Sequence, residues 1–251
     1  MILGFDEKGS GDALVFVHGF PVDRRMWQAQ LDGLADGRRV VAVDLRGRGK
    51  SPETTAGGMD DYADDVAATI KSLGVDKADI AGLSLGGYVL FALWRRHPEV
   101  VRSLILIDTK AGEDPPEAKE GRETTAALVT EKGTTALIEG LFPKIFARQV
   151  SEDVKDAVRP MFEESPSDAT AADALAMKDR PDSTADLGTI TVPVLVIHGE
   201  EDQLMPVEGS RDMATKIPGS QFVSIPRAGH FAPMENPEAV NEAIKSFLTA
   251  R

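Results

Sequence analysis

The sequence predicts an α/β protein built on a mostly parallel sheet with helices on both faces. Three observations predict it. Short apolar runs recur along the chain and are nearly continuous rather than alternating, as expected of strands buried on both sides. The stretches between them place apolar residues at helical spacing, and the runs end in loops rich in small residues. Reactive groups on such a sheet are expected on the loops at the carboxyl ends of the strands.

The elements follow in order. Residues 14–17 (Leu-Val-Phe-Val) read as a buried strand that ends in His18-Gly19-Phe20-Pro21. Trp27, Leu31 and Leu34 mark a helix, and residues 39–45 a second strand that runs into Arg46-Gly47-Arg48-Gly49-Lys50-Ser51. Residues 60–73 form a helix with Tyr62, Val66, Ile70 and Leu73 on one face. Residues 78–83 are the next strand and 86–96 the next helix, which His97-Pro98 closes because proline cannot continue it. A strand over 101–107 follows. From 112 to 187 no strand-like run occurs; helical spacing appears in Leu137, Ile138, Leu141 and Ile145 and again in Val154, Val158, Met161 and Phe162. Pro143 and Pro160 are expected to break these segments into short helices. The alternation then resumes with a strand at 192–197, a helix at 207–216, a strand at 221–225 and a helix at 237–248. The reading is one α/β core over 1–111 and 188–251 with a helical insertion at 112–187.

Composition narrows the function. Acidic residues outnumber basic ones 41 to 28, giving a formal charge of −13 that repels a phosphate backbone, so nucleic acid is not an expected partner. The chain has no cysteine, which excludes disulfides, thiolate metal sites and a cysteine nucleophile. The first residues lack the basic flank and apolar core of a signal peptide, and no apolar run approaches the ~18 residues of a membrane span. The expected location is the cytoplasm, with no membrane partner. Gly49-Lys50-Ser51 lacks the upstream glycine of a phosphate-binding loop, because Asp44 stands there. Histidines and carboxylates show no metal-ligand spacing, and no cofactor is expected.

The chemistry centres on Gly82-Leu83-Ser84-Leu85-Gly86-Gly87, between a predicted strand and a predicted helix. Small residues on both sides permit a sharp turn with Ser84 at its apex, the layout of a nucleophile elbow. A serine hydroxyl needs a base to take its proton, and four histidines are available. His97 lies a helix length away, His198 ends a strand, and His18 sits where it can shape a loop; His230, in Ala228-Gly229-His230-Phe231, follows the last strand and is the expected base. Asp202, in the loop after the preceding strand, is the expected acid, and Asp108 is the second choice. The amides of Leu85 and Phe20 are the expected oxyanion donors. Trp27, Leu141, Phe142, Ile145, Phe146, Met161 and Phe162 are candidate walls of a substrate pocket between Ser84 and the insertion. An apolar pocket with an acidic rim is expected to favour neutral esters over anions.

Five blocks taken together resemble the α/β-hydrolase superfamily, in that family's order and across the whole chain: His18-Gly19-Phe20-Pro21, Asp44-Leu45-Arg46-Gly47-Arg48-Gly49-Lys50-Ser51, Gly82-Leu83-Ser84-Leu85-Gly86-Gly87, His198-Gly199-Glu200-Glu201-Asp202 and Gly229-His230. The resemblance implies the α/β-hydrolase fold with a helical cap in place of the insertion. It implies Ser84, Asp202 and His230 as a triad, with the Phe20 and Leu85 amides as oxyanion hole. It is nearest to small bacterial carboxylesterases, enol-lactonases and cofactor-free haloperoxidases. Serine at the elbow departs from haloalkane dehalogenases and epoxide hydrolases, which carry aspartate there. The function implied is hydrolysis of small, largely apolar carboxylic esters through an acyl-enzyme. Lactone hydrolysis and perhydrolysis are the alternatives, and a ligand-sensing signalling protein on the same fold is the non-enzymatic one.

Overall fold

Six apolar runs become the parallel strands of one seven-stranded sheet in the computed structural model, which describes residues 1–52 and 57–250. The chain runs through β1 (Phe5–Lys8), β2 (Asp12–Val17), α1 (Gln28–Leu34), β3 (Arg38–Val43), α2 (Met59–Ser72), β4 (Ala78–Leu83), α3 (Leu85–Arg96) and β5 (Val101–Ile107). Four helices intervene, α4 (Pro116–Lys132), α5 (Ile138–Ile145), α6 (Glu152–Glu163) and α7 (Ser167–Asp179). The chain closes with β6 (Val194–Gly199), α8 (Val207–Lys216), β7 (Gln221–Ile225), α9 (Ala232–Glu235) and α10 (Pro237–Thr249). The strand order is β1-β3-β2-β4-β5-β6-β7, with β1 antiparallel to β3 and the other pairs parallel. β1 is absent from the sequence expectation because its Phe-Asp-Glu-Lys is a half-exposed edge with no apolar run. Residues 53–56 and 251, which the expected core spans, lie outside the described residues.

Strand residues alternate between two cores. Val15, Val17, Val41, Val43, Ile80 and Val196 pack with α2, α3 and α8 on one face, while Phe16, Val40, Ala42, Ile105 and Ile197 pack with α1 and α10 on the other. The β-branched and aliphatic side chains are almost wholly withdrawn from water, worth about 1.5–3 kcal/mol for each large one. The second core continues into the helices between β5 and β6 through Val129, Ile145, Val158 and Phe162.

The helices between β5 and β6 are fastened to the sheet by polar contacts as well. Arg48, in the loop after β3, is buried and donates to Asp173 on α7 at 2.6 Å and to Ser165 at 2.6 Å. Tyr62 on α2 donates to the same Asp173 at 2.6 Å, and Ser165 Oγ reaches the Pro21 carbonyl at 2.7 Å. The segments form several short helices as expected, although Pro143 and Pro160 lie inside α5 and α6 rather than between helices. Each proline lacks the amide that would bond the carbonyl four residues back, and α5 ends two residues and α6 three residues beyond it. Among the described residues, no helix is long and apolar enough to cross a membrane.

Candidate active site

Parallel register sets the site. Leu83 pairs with Ile107 and Ile107 with Ile197, so Ser84, Asp108 and His198 come next to one another at the carboxyl ends of β4, β5 and β6. The order reverses at β2, flanked by β3 and β4, and a crevice opens there between the loop after β2 and the turn after β4.

That turn holds Ser84 at φ 52° and ψ −108°, a conformation that costs about 1–3 kcal/mol for a non-glycine residue. Its amide donates to the Ile107 carbonyl at 2.9 Å, and its carbonyl accepts from Thr109 Oγ1 at 2.9 Å and from the Tyr88 amide at 3.2 Å. The flanking glycines make the reversal possible. A Cβ on Gly82 would stand 2.5 Å from the Gly86 carbonyl carbon, and one on Gly86 would stand 2.3 Å from the Val17 carbonyl oxygen. Leu85 opens α3, so its amide precedes the helical hydrogen-bond ladder. Neither the Leu85 nor the Phe20 amide donates to an acceptor among the described residues.

His230 follows β7, and Glu235 shapes its loop. One carboxylate oxygen of Glu235 accepts from the amides of Gly229 and Phe231, each at 3.1 Å, and the other accepts from Ala147 at 2.7 Å. The His230 amide itself donates to the Ile145 carbonyl at 2.9 Å. Burial raises the Glu235 carboxyl above its ordinary range despite those three amides.

The imidazole Nδ1 of His230 meets Asp202 Oδ2 at 2.7 Å. An Nδ1–H donated to the carboxylate leaves Nε2 unprotonated, able to accept a proton. The other Asp202 oxygen accepts from the Leu204 and Met205 amides at 2.7 and 3.1 Å. Burial pushes the Asp202 carboxyl up, but His230 and those amides outweigh it and hold the group below its usual value.

Asp108 differs. It is fully buried at φ 43°, accepts from the Gly199 amide at 2.7 Å, and its second oxygen has no partner among the described residues. Burial, reinforced by the Asp202 charge, drives its pKa well above the usual value. Asp108, His198 and Asp202 gather potential ligand atoms within 4.8 Å, a grouping invisible to local spacing because it joins two strand ends. Most of those atoms are already used. His198 Nε2 donates to the Met205 carbonyl at 3.0 Å and Nδ1 pairs with Ser210 Oγ at 2.8 Å.

His18 is buried in the β2 loop. Its Nδ1 meets the Gly19 carbonyl at 2.8 Å, and its Nε2 accepts from the Leu45 amide at 3.0 Å. Burial lowers its pKa and keeps it neutral, so it ties the ends of β2 and β3 together. His97 lies at the surface against Asp64.

Ser84 and His230 line one cavity of about 350 Å³ with Phe20. Of the expected wall residues, Leu141 and Ile145 line it, whereas Trp27, Phe142, Phe146, Met161 and Phe162 do not. Trp27 stacks on Phe16 in the core. Phe142 packs edge-on against both Phe146 and Phe162, and Phe146 against Phe231, with Met161 in the same core. The walls that sequence reasoning missed include Tyr88, Met177, Met205 and Ser210, together with the charged trio Lys110, Asp114 and Arg122. The expected acidic rim is therefore replaced on one side by a wall with two cations to one carboxylate. A charged residue at a helical position carries no signal of facing a cavity rather than solvent.

The family model for the alpha/beta hydrolase family matches residues 14–243. The fold superposes on a thermophilic esterase from Thermogutta terrifontis, solved with malate bound, with a TM-score of 0.96 and 42% identity, covering 99% of this chain and 93% of that one. An enol-lactonase from Burkholderia xenovorans aligns with a TM-score of 0.88 at 26% identity, over 98% of this chain and 96% of that one. By sequence, the 2-(acetamidomethylene)succinate hydrolase of Mesorhizobium japonicum is 29% identical over 99% of this chain and 92% of that protein.

Proposed function

Because the chain belongs to the alpha/beta hydrolase family, we propose that it is a serine hydrolase of small carboxylic esters that works through an acyl-enzyme. One observation carries the reading: a serine on a strained strand-to-helix turn shares its cavity with an imidazole that is bonded to a buried carboxylate at 2.7 Å. In this reading His230 Nε2 takes the Ser84 proton as Oγ attacks the ester carbonyl. The Phe20 and Leu85 amides receive the oxyanion, with the α3 dipole adding to the second. His230 then returns its proton to the leaving alcohol, and water repeats the sequence on the acyl-enzyme. Asp202 holds the imidazole tautomer and offsets its charge when protonated. The inserted segment 112–187 acts as a cap, its Leu137, Leu141 and Ile145 giving the apolar wall that takes the acyl or alcohol chain.

Lactones are the second substrate class, favoured by the likeness to the enol-lactonase. The test is steady-state hydrolysis of p-nitrophenyl esters from acetate to octanoate beside a set of lactones, with wild type and Ser84→Ala. Ester turnover that Ser84→Ala abolishes is the expected result. Fast lactones with slow esters would shift the reading to a lactonase, and slow turnover of both with an intact fold would point to ligand recognition instead.

A further inference from the structure

The cavity holds a second set of polar groups outside Ser84, His230 and Asp202. Asp114, 2% exposed, lies between β5 and α4, and three cations converge on it. Lys110 Nζ and Arg180 Nη2 each stand 2.8 Å from Oδ1, and Arg122 Nε stands 3.1 Å from Oδ2. Together they hold the Asp114 carboxyl far below its usual pKa against the opposing effect of burial.

Arg180 alone would neutralise that carboxylate. It is 4% exposed, donates to the Met177 and Gly112 carbonyls at 2.6 and 3.0 Å, and lays its guanidinium 4.0 Å over the Tyr88 ring. Its role is to fasten the end of α7 to the loop before α4.

Lys110 and Arg122 are placed differently. Their side chains are 36% and 27% exposed, both line the cavity, and neither has another partner among the described residues. The remaining ammonium hydrogens of Lys110 and the outer edge of the Arg122 guanidinium are thus unused. Two cations side by side on the wall of a half-enclosed cavity repel each other, and one shared carboxylate that already has its own arginine leaves an excess positive charge there. In a chain of formal charge −13 such a local excess stands against the overall sign.

Sequence adjacency brings this wall close to the nucleophile. Lys110 follows Thr109, whose hydroxyl donates to the Ser84 carbonyl at 2.9 Å. Arg122 faces the same cavity from α4, with Ala118 and Thr125 beside it.

We propose that Lys110 and Arg122 form a carboxylate-binding subsite, and that the preferred substrates are esters carrying a free carboxylate, such as monoesters of short dicarboxylic acids. The inference rests on the hydrolase reading above and reverses the expectation that neutral esters are favoured. The ester group lies at Ser84, the free carboxylate forms charge-assisted hydrogen bonds with Lys110 and Arg122, and the methylenes between them cross the apolar wall. Asp114 is a positioning residue that holds the two cations apart from each other and aimed at the cavity.

The test compares kcat/KM for monomethyl succinate and methyl butanoate by base titration, in wild type, Lys110→Met, Arg122→Met and the double variant. Asp114 keeps Arg180 in each, so the fold is retained. Wild type should prefer the monoanion, and each single variant should lower the ratio of the two kcat/KM values about tenfold or more, chiefly through KM. Monomethyl esters from malonate to adipate then report the distance from Ser84 to the subsite. A ratio unchanged by all three variants would overturn the subsite while leaving the hydrolase standing. If neither ester is hydrolysed, calorimetric titration of Ser84→Ala with succinate separates the two ideas. Binding that the added Lys110→Met and Arg122→Met substitutions abolish would keep the subsite and sink the hydrolase, whereas no succinate binding would sink the subsite as well.

Discussion

Asp108 and Asp202 leave neighbouring strands, yet their surroundings make them opposite kinds of acid. Asp202 accepts from His230 and two amides, which hold its pKa down; Asp108 accepts one amide, has an oxygen without a partner among the described residues, and has its pKa raised by burial. In the proposed reaction Asp202→Asn loses the acceptor that fixes the imidazole tautomer, so kcat should fall on the order of 10³–10⁴-fold with the circular dichroism spectrum unchanged. Full activity in that variant would transfer the role to Asp108. Asp108→Asn should leave ester hydrolysis near the wild-type rate and change stability instead. The folded pKa of Asp108 is raised, so above the ordinary value of 3.8 the unfolded chain ionises while the folded one does not. Stability is therefore lost as pH rises from that value toward the folded pKa, and asparagine removes the loss. Thermal melts should show Asp108→Asn gaining on wild type, more at pH 8 than at pH 5; a constant difference would contradict a raised Asp108 pKa.

The helices between β5 and β6 owe their placement to a few fixed points. Arg48 and Asp173 are each 1% exposed, and Tyr62 shares the same carboxylate. Arg48→Met strands a buried charge and should cost about 3–5 kcal/mol in urea unfolding, whereas Arg48→Met with Asp173→Leu and Tyr62→Phe should recover most of it. Equal losses in the single and triple variants would mean that the pair adds stability beyond its own desolvation. At the other edge, Glu235 ties the His230 loop to Ala147 beyond α5. Glu235→Ala should lower kcat with little change in KM, because it loosens the base rather than the pocket. These anchors were only partly legible in the sequence. The repeated apolar runs marked the parallel strands and their register-sharing ends, but a buried arginine in a Gly-Arg-Gly loop reads like any surface charge. Two prolines read as breaks lie inside helices instead, and those helices end two and three residues beyond them.

For the molecule as a whole, the sheet gathers Ser84, Asp202 and His230 from loops up to 146 positions apart in the numbering. That grouping was readable because each residue follows a recognisable strand, and parallel strands deliver their carboxyl ends to one edge. The pocket walls were not readable in the same way. An apolar stripe marks a buried helix face without saying what buries it: Phe142 meets both Phe146 and Phe162, while Leu141 and Ile145 face the cavity. Lys110 and Arg122 escaped notice for the converse reason, since charged side chains are usually solvated. The central claim is covalent chemistry at Ser84, and a pre-steady-state pulse of p-nitrophenyl acetate followed by intact-protein and peptide mass spectrometry tests it most directly. The account predicts a p-nitrophenol burst close to one equivalent, when deacylation is the slower step, and an acetyl group on Ser84 that Ser84→Ala does not form. Turnover that persists in Ser84→Ala would contradict it.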